Sequence, residues 1–160
     1  MASRGGTRSS RRLEIAWTFA VVLLLAGIAV WSTFLLYKVD GLPSDPQEYV
    51  VVRAQQWSWT FCYSNQTCYT SQYDASTNTV SGGELWVLPG EVVQLNVTSL
   101  DVAHSLYIPG LGVQTNALPG RTNDVAFQIP KVAAGTTWEI FCTEFCGSGH
   151  ATMRSFVDVL

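Results

Sequence analysis

Residues 49–160 predict an all-β domain, a β-sandwich or Greek-key barrel, and the residues before them predict one membrane-spanning helix. Three observations carry this reading. The 23 residues 15–37 hold no charge, and 19 of them are apolar. Beyond residue 48 helical periodicity is absent, and short strand-like stretches recur instead. Gly82-Gly83, Pro89-Gly90, Pro109-Gly110 and Pro119-Gly120 punctuate those stretches as turns. A chain of 160 residues that is 48% hydrophobic is neither disordered nor collagen-like. With the uncharged run set aside, the composition is that of an ordinary water-soluble domain with a single core.

In chain order, residues 1–14 carry Arg4, Arg8, Arg11 and Arg12, which hold the N-terminus on the cytoplasmic side. At about 1.5 Å per residue, a helix over 15–37 reaches roughly 34 Å, enough for the roughly 30 Å hydrocarbon core of a bilayer. The run is longer than the apolar core of a signal peptide, and it ends in Phe34-Leu-Leu-Tyr37 rather than at a small-residue cleavage site. It reads as an uncleaved single-pass anchor in the plasma membrane. Residues 38–48, with Gly41, Pro43 and Pro46, read as a linker, and 49–160 then lie outside the cytoplasm. Strands are expected over 49–61, 84–88, 92–98, 104–108, 124–129, 138–142 and 154–160.

After Tyr37 five basic residues stand against eleven acidic ones, a formal balance of −6. With no basic patch, nucleic acid is not expected as a partner; the acidity suits a cationic protein through screened long-range attraction, or serves only to keep the domain soluble. Cys62 and Cys68 flank the turn-like Tyr-Ser-Asn-Gln-Thr between two strand-like stretches. A pair so placed is a candidate disulfide of an oxidising compartment, with two free buried thiols as the alternative.

The chemistry concentrates in Cys142-Thr-Glu-Phe-Cys146-Gly-Ser-Gly-His150-Ala-Thr-Met153. Thiolate, imidazole and thioether are the donors that soft copper prefers, whereas calcium and magnesium take oxygen. Gly147 and Gly149 allow the backbone to turn tightly between donors. Of two histidines in the chain, the other is His104, at the start of an expected strand. Three metal sites compete for these residues. A blue-copper centre would use His104, Cys146, His150 and Met153 and leave Cys142 idle. A structural zinc would use His104, Cys142, Cys146 and His150 and leave Met153 as core. A dinuclear copper centre uses every donor, with two bridging thiolates, one histidine per ion, and Met153 and a carbonyl oxygen as weak ligands.

The loop C-x-E-x-C-G-x-x-H-x-x-M resembles the CuA loop of subunit II of haem-copper cytochrome c oxidases. Asp101-Val-Ala-His104-Ser, Leu118-Pro-Gly-Arg121 and Gln56-Trp57-Ser-Trp59 resemble that subunit's other signatures in the same order. The resemblance implies a cupredoxin-like Greek-key fold over 49–160 and a dinuclear CuA centre. It implies His104, Cys142, Cys146, His150 and Met153 as copper ligands, with the Glu144 carbonyl. It also implies a magnesium ion shared with subunit I through the Glu144 side chain, and Trp57 as the electron-input residue. The expected partners are the haem-bearing subunit I and cytochrome c or a blue-copper donor. Glu14 resembles an acidic residue at the proton-uptake entrance of single-helix relatives; acidic residues are also favoured at any helix N-terminus. A membrane-anchored copper carrier or assembly factor is the alternative function, because a C-x3-C pair also suits metal hand-off.

Overall fold

In a computed structural model, residues 8–39 and 45–160 are described. They fall into two units, divided between Gly41 and Leu42. The first is a single α-helix, α1 (Arg8–Val39). Its stretch Ser10–Lys38 has a mean hydropathy of 2.5 and is long and apolar enough to cross a membrane. The helix begins before and ends after the uncharged run, because the flanking Arg, Ser and Lys residues are compatible with helix and no Gly or Pro stops it sooner. Two boundaries therefore change. Lys38 and Val39 belong to the helix rather than to a linker, and Glu14 stands more than a turn inside α1, whose first turn holds no acidic residue. Residues 40–44 of the expected linker, and Arg4, lie outside the described residues.

The second unit is a two-sheet sandwich of β1 (Glu48–Gln55), β2 (Ser58–Tyr63), β3 (Cys68–Thr70), β4 (Gln72–Asp74), β5 (Thr79–Ser81), β6 (Leu85–Val87), β7 (Val92–Ser99), β8 (His104–Ile108), β9 (Val113–Ala117), β10 (Asn123–Gln128), β11 (Thr137–Cys142) and β12 (Arg154–Val159). One sheet runs β10-β7-β1-β2-β3, the other β6-β12-β11-β8-β9, and β4-β5 is a separate hairpin. The pairs β1/β7 and β12/β6 are parallel; the other paired strands are antiparallel. Strict alternation builds the core. On β1, Val50, Val52 and Ala54 point inward while Tyr49, Val51 and Arg53 point out. They meet Leu95 and Val97 of β7, Trp59 and Phe61 of β2, and from the opposite sheet Leu106, Ile108, Ile140 and Val157. Trp59 and Phe61 are wholly buried, and truncating either to alanine costs about 3–5 kcal/mol.

The stretch expected as one strand over 49–61 is two, broken at Gln56-Trp57, and Ala54 pairs back onto Trp59. Cys62 and Cys68 are direct cross-strand neighbours in the β2/β3 hairpin and are joined by a disulfide. That hairpin also locks the edge of the sandwich. The Tyr63 hydroxyl bonds both the N–H and the carbonyl of Trp86, on β6 of the other sheet, and Tyr69 packs edge-on against the Trp86 ring. Burial pushes the Tyr63 phenol up to about 12.

Candidate metal centre

The order β12-β11-β8 in the second sheet brings three distant parts of the sequence side by side. His104 opens β8, Cys142 closes β11, and Met153 immediately precedes β12. Phe141 pairs with Tyr107 and Cys142 with Leu106. Main-chain bonds from Thr143 to Ser105 and from Cys142 to Met153 carry the ladder past the strand ends. Residues 143–152 therefore form a loop across the end of the sandwich, and a short 3-10 turn, His150–Thr152, closes it.

All five expected side chains converge there. Cys142 Sγ and Cys146 Sγ are 3.8 Å apart. Cys142 Sγ has His104 Nδ1 at 3.8 Å and the Glu144 carbonyl oxygen at 3.2 Å. Cys146 Sγ has His150 Nδ1 at 3.5 Å and Met153 Sδ at 3.9 Å. Each thiol is thus flanked by one imidazole nitrogen and one weak donor. His104 and Met153 are fully buried, Cys142 and Cys146 nearly so. The donor atoms of His104, Cys142 and Cys146 lie within 4.8 Å of one another, a mutual set that does not include His150. Burial pushes the Cys146 thiol up to about 12, with Cys142 adding to the rise.

Sequence reasoning quoted two neighbours of this cluster without giving them a role. Asp101 Oδ1 lies 2.9 Å from His104 Nε2, which puts the imidazole proton on Nε2 and turns Nδ1 toward the thiols. Burial alone raises the Asp101 carboxyl, but hydrogen bonds from the Gln56 N–H, His104 and the Val102 N–H outweigh it and hold the carboxyl below its ordinary range. Gln56 is the second, its Nε2 donating to the Cys146 carbonyl at 2.6 Å. A carboxylate three residues before a histidine was a readable signal for Asp101; for Gln56 the only signal was its place in the Gln56-Trp57-Ser-Trp59 signature.

Trp57 sits in the β1/β2 turn, 37% exposed, with its ring packed against Gly149 of the loop so closely that a Cβ there would clash with it. Phe145 projects to solvent from the loop, its ring 5.8 Å from that of His150. The Glu144 side chain is exposed. Glu14 and Cys62–Cys68 belong to other places: Glu14 to α1, the disulfide to the β2/β3 hairpin.

Two thiols, a thioether and one imidazole, all buried, with a second, partly buried imidazole at the end of a cupredoxin-like sandwich, define a soft-metal protein of the copper-binding β-sandwich class. A family model described as the cytochrome c oxidase subunit II periplasmic domain matches residues 49–160, and the chain belongs to that family. It is thereby a subunit of a haem-copper oxidase complex with a CuA-type domain. Among solved structures it is similar to the periplasmic domain of cytochrome oxidase subunit II of Bradyrhizobium japonicum, with 26% identity, a TM-score of 0.66, and coverage of 74% of this chain and 87% of that one. A mixed-disulfide intermediate between a thioredoxin-like protein and subunit II of cytochrome c oxidase matches with 26% identity, a TM-score of 0.61, and 74% and 85% coverage. A heme-copper terminal oxidase dimer shares the fold at 20% identity and a TM-score of 0.60, over 91% of this chain and 99% of that one.

Proposed function

We propose that the chain is the electron-input subunit of its oxidase and holds a dinuclear copper centre. The observation that supports this is the division of the donors into two like halves, one imidazole and one weak donor beside each thiol. A single tetrahedral zinc would need its four donors all within about 4 Å of one another. His150 stands outside the mutual set, which favours two ions over one.

His104, Cys142, Cys146, His150, Met153 and the Glu144 carbonyl would hold the two coppers, which supply one-electron chemistry with the charge shared between them. The protein's own residues supply the rest. The sandwich excludes water from the thiols, and Asp101 fixes the His104 ring in the tautomer that frees Nδ1. Trp57 offers a half-exposed ring lying against the loop, where cytochrome c or a blue-copper donor would pass its electron. The electron leaves toward haem in subunit I, and the Glu144 carboxylate, free to face that subunit, is assigned a shared magnesium. Because a subunit II relative forms a mixed disulfide with a thioredoxin-like protein, such a protein is a partner that would keep Cys142 and Cys146 as a dithiol for copper loading.

In this reading residues 1–14 are cytoplasmic, 15–37 span the plasma membrane, and 49–160 lie outside. Glu14 marks a proton-uptake entrance; its place inside α1 removes the helix-terminus explanation for an acidic residue there. A copper carrier would need thiols open to exchange, which the burial of Cys146 and Met153 opposes. Metal analysis and electron paramagnetic resonance on the copper-loaded full chain test the proposal. Two coppers sharing one unpaired electron are expected; one copper, or zinc alone, would overturn it.

A further inference from the structure

We propose that Gln56 is a positioning residue of the copper centre, a brace that sets both halves of the donor cluster before any ion arrives. This rests on the two-copper reading and extends it to a residue that offers no ligand. Gln56 belongs to the turn after β1, in the sheet opposite the one that supplies the donors. Its side-chain Nε2 donates to the Cys146 carbonyl at 2.6 Å. Its main-chain N–H donates to Asp101 Oδ2 at 2.8 Å, and the other oxygen of that carboxylate takes His104 Nε2 at 2.9 Å. One residue therefore reaches the Cys146 peptide with its side chain and the His104 ring with its backbone.

The surrounding backbone is shaped to this contact. Gly147 has φ +122°, and a Cβ there would stand 2.9 Å from Gln56 Nε2. The next residue, Trp57, presses on Gly149 in the same way, so the turn meets the loop at two consecutive positions. Contacts with Gly147 on one side of Cys146, and with Asp101 behind His104, fix the separation of the two thiol–imidazole pairs. Partners of metal-ligating groups typically carry 10–100-fold in metal affinity. Gln56 acts directly on one ligand residue and through a carboxylate on another, so the lower end of that range is expected.

The test uses the full chain in detergent, loaded with copper, as Q56M, which keeps the length and the backbone N–H but loses the amide donor. Q56M is expected to bind two coppers, to release them to a chelator about tenfold faster than the parent, and to show altered copper hyperfine splitting. Its copper-free circular dichroism is expected to match the parent. Parental release and an unchanged hyperfine pattern overturn the proposal. Should Q56M misfold, Q56E carries the test, since it keeps the size and turns a carboxylate oxygen on the Cys146 carbonyl; the same direction of change is expected, and parental behaviour again overturns the brace. A parent chain that does not bind two coppers sharing one electron fails the copper reading itself, whereas a normal parent with an unaffected variant fails the brace alone.

Discussion

Two cysteine pairs in one domain have opposite fates. Cys62 and Cys68 face each other across a hairpin, with Cys68 open to solvent, and are oxidised to a disulfide. Cys142 and Cys146 are buried, 3.8 Å apart, and remain free thiols. Their neighbours differ too: among the described residues no imidazole flanks the first pair, while each thiol of the second has an imidazole and a weak donor beside it. One pair is thereby a covalent staple, and the other is a cradle whose oxidation would remove the donors it presents.

Four expectations would break or sharpen this contrast. The largest concerns Cys146→Ser, which removes one of the two thiols proposed to hold both coppers; the shared-electron signal of the copper-loaded chain is expected to vanish, and its survival would end that role. Next, Asp101→Ala frees the His104 ring, and copper retention against a chelator is expected to fall by about 10–100-fold. The double variant Cys62→Ala/Cys68→Ala is expected to leave the copper spectrum unchanged and to lose about 2 kcal/mol of stability in denaturant titration, as for a closed loop of this short length. A copper spectrum altered by that double variant would show that the two pairs are not independent. The smallest effect lies at alkaline pH. The Tyr63 phenol sits at about 12 in the fold against about 10 in the unfolded chain. The fold favours the neutral form, so this contribution is whole below pH 10 and is lost as pH rises toward 12. Tyr63→Phe is expected to flatten that part of the stability–pH curve; an unchanged slope would remove Tyr63 as its source.

The donor loop was legible in the sequence because its residue types are rare and its spacing short, and the structure gathers those same side chains. The long strands were legible too: β7 and β8 alternate cleanly or run apolar. By contrast β3, β4 and β5 are three residues each, too short for any period to show. The strand β9, Val-Gln-Thr-Asn-Ala, is a polar edge strand that reads as loop. The break between β1 and β2 went unseen because Gln56-Trp57 contains none of the usual turn residues. Their local motif pointed to Trp57, but the reach of Gln56 to Cys146, ninety positions away, is a tertiary contact that the motif does not show.

The Cys142 N–H to Met153 carbonyl bond, at 3.2 Å, links the first and last residues of the donor loop. It is the rung where β11 and β12 begin to pair, so the gauge of the centre is set by the sheet rather than by what it holds. Amide hydrogen exchange at Cys142 then reports on the centre's opening, and its protection is expected to approach that of the global unfolding transition. The spacing of Cys142 and Met153, anchored on such a rung, is lost only when the sandwich opens.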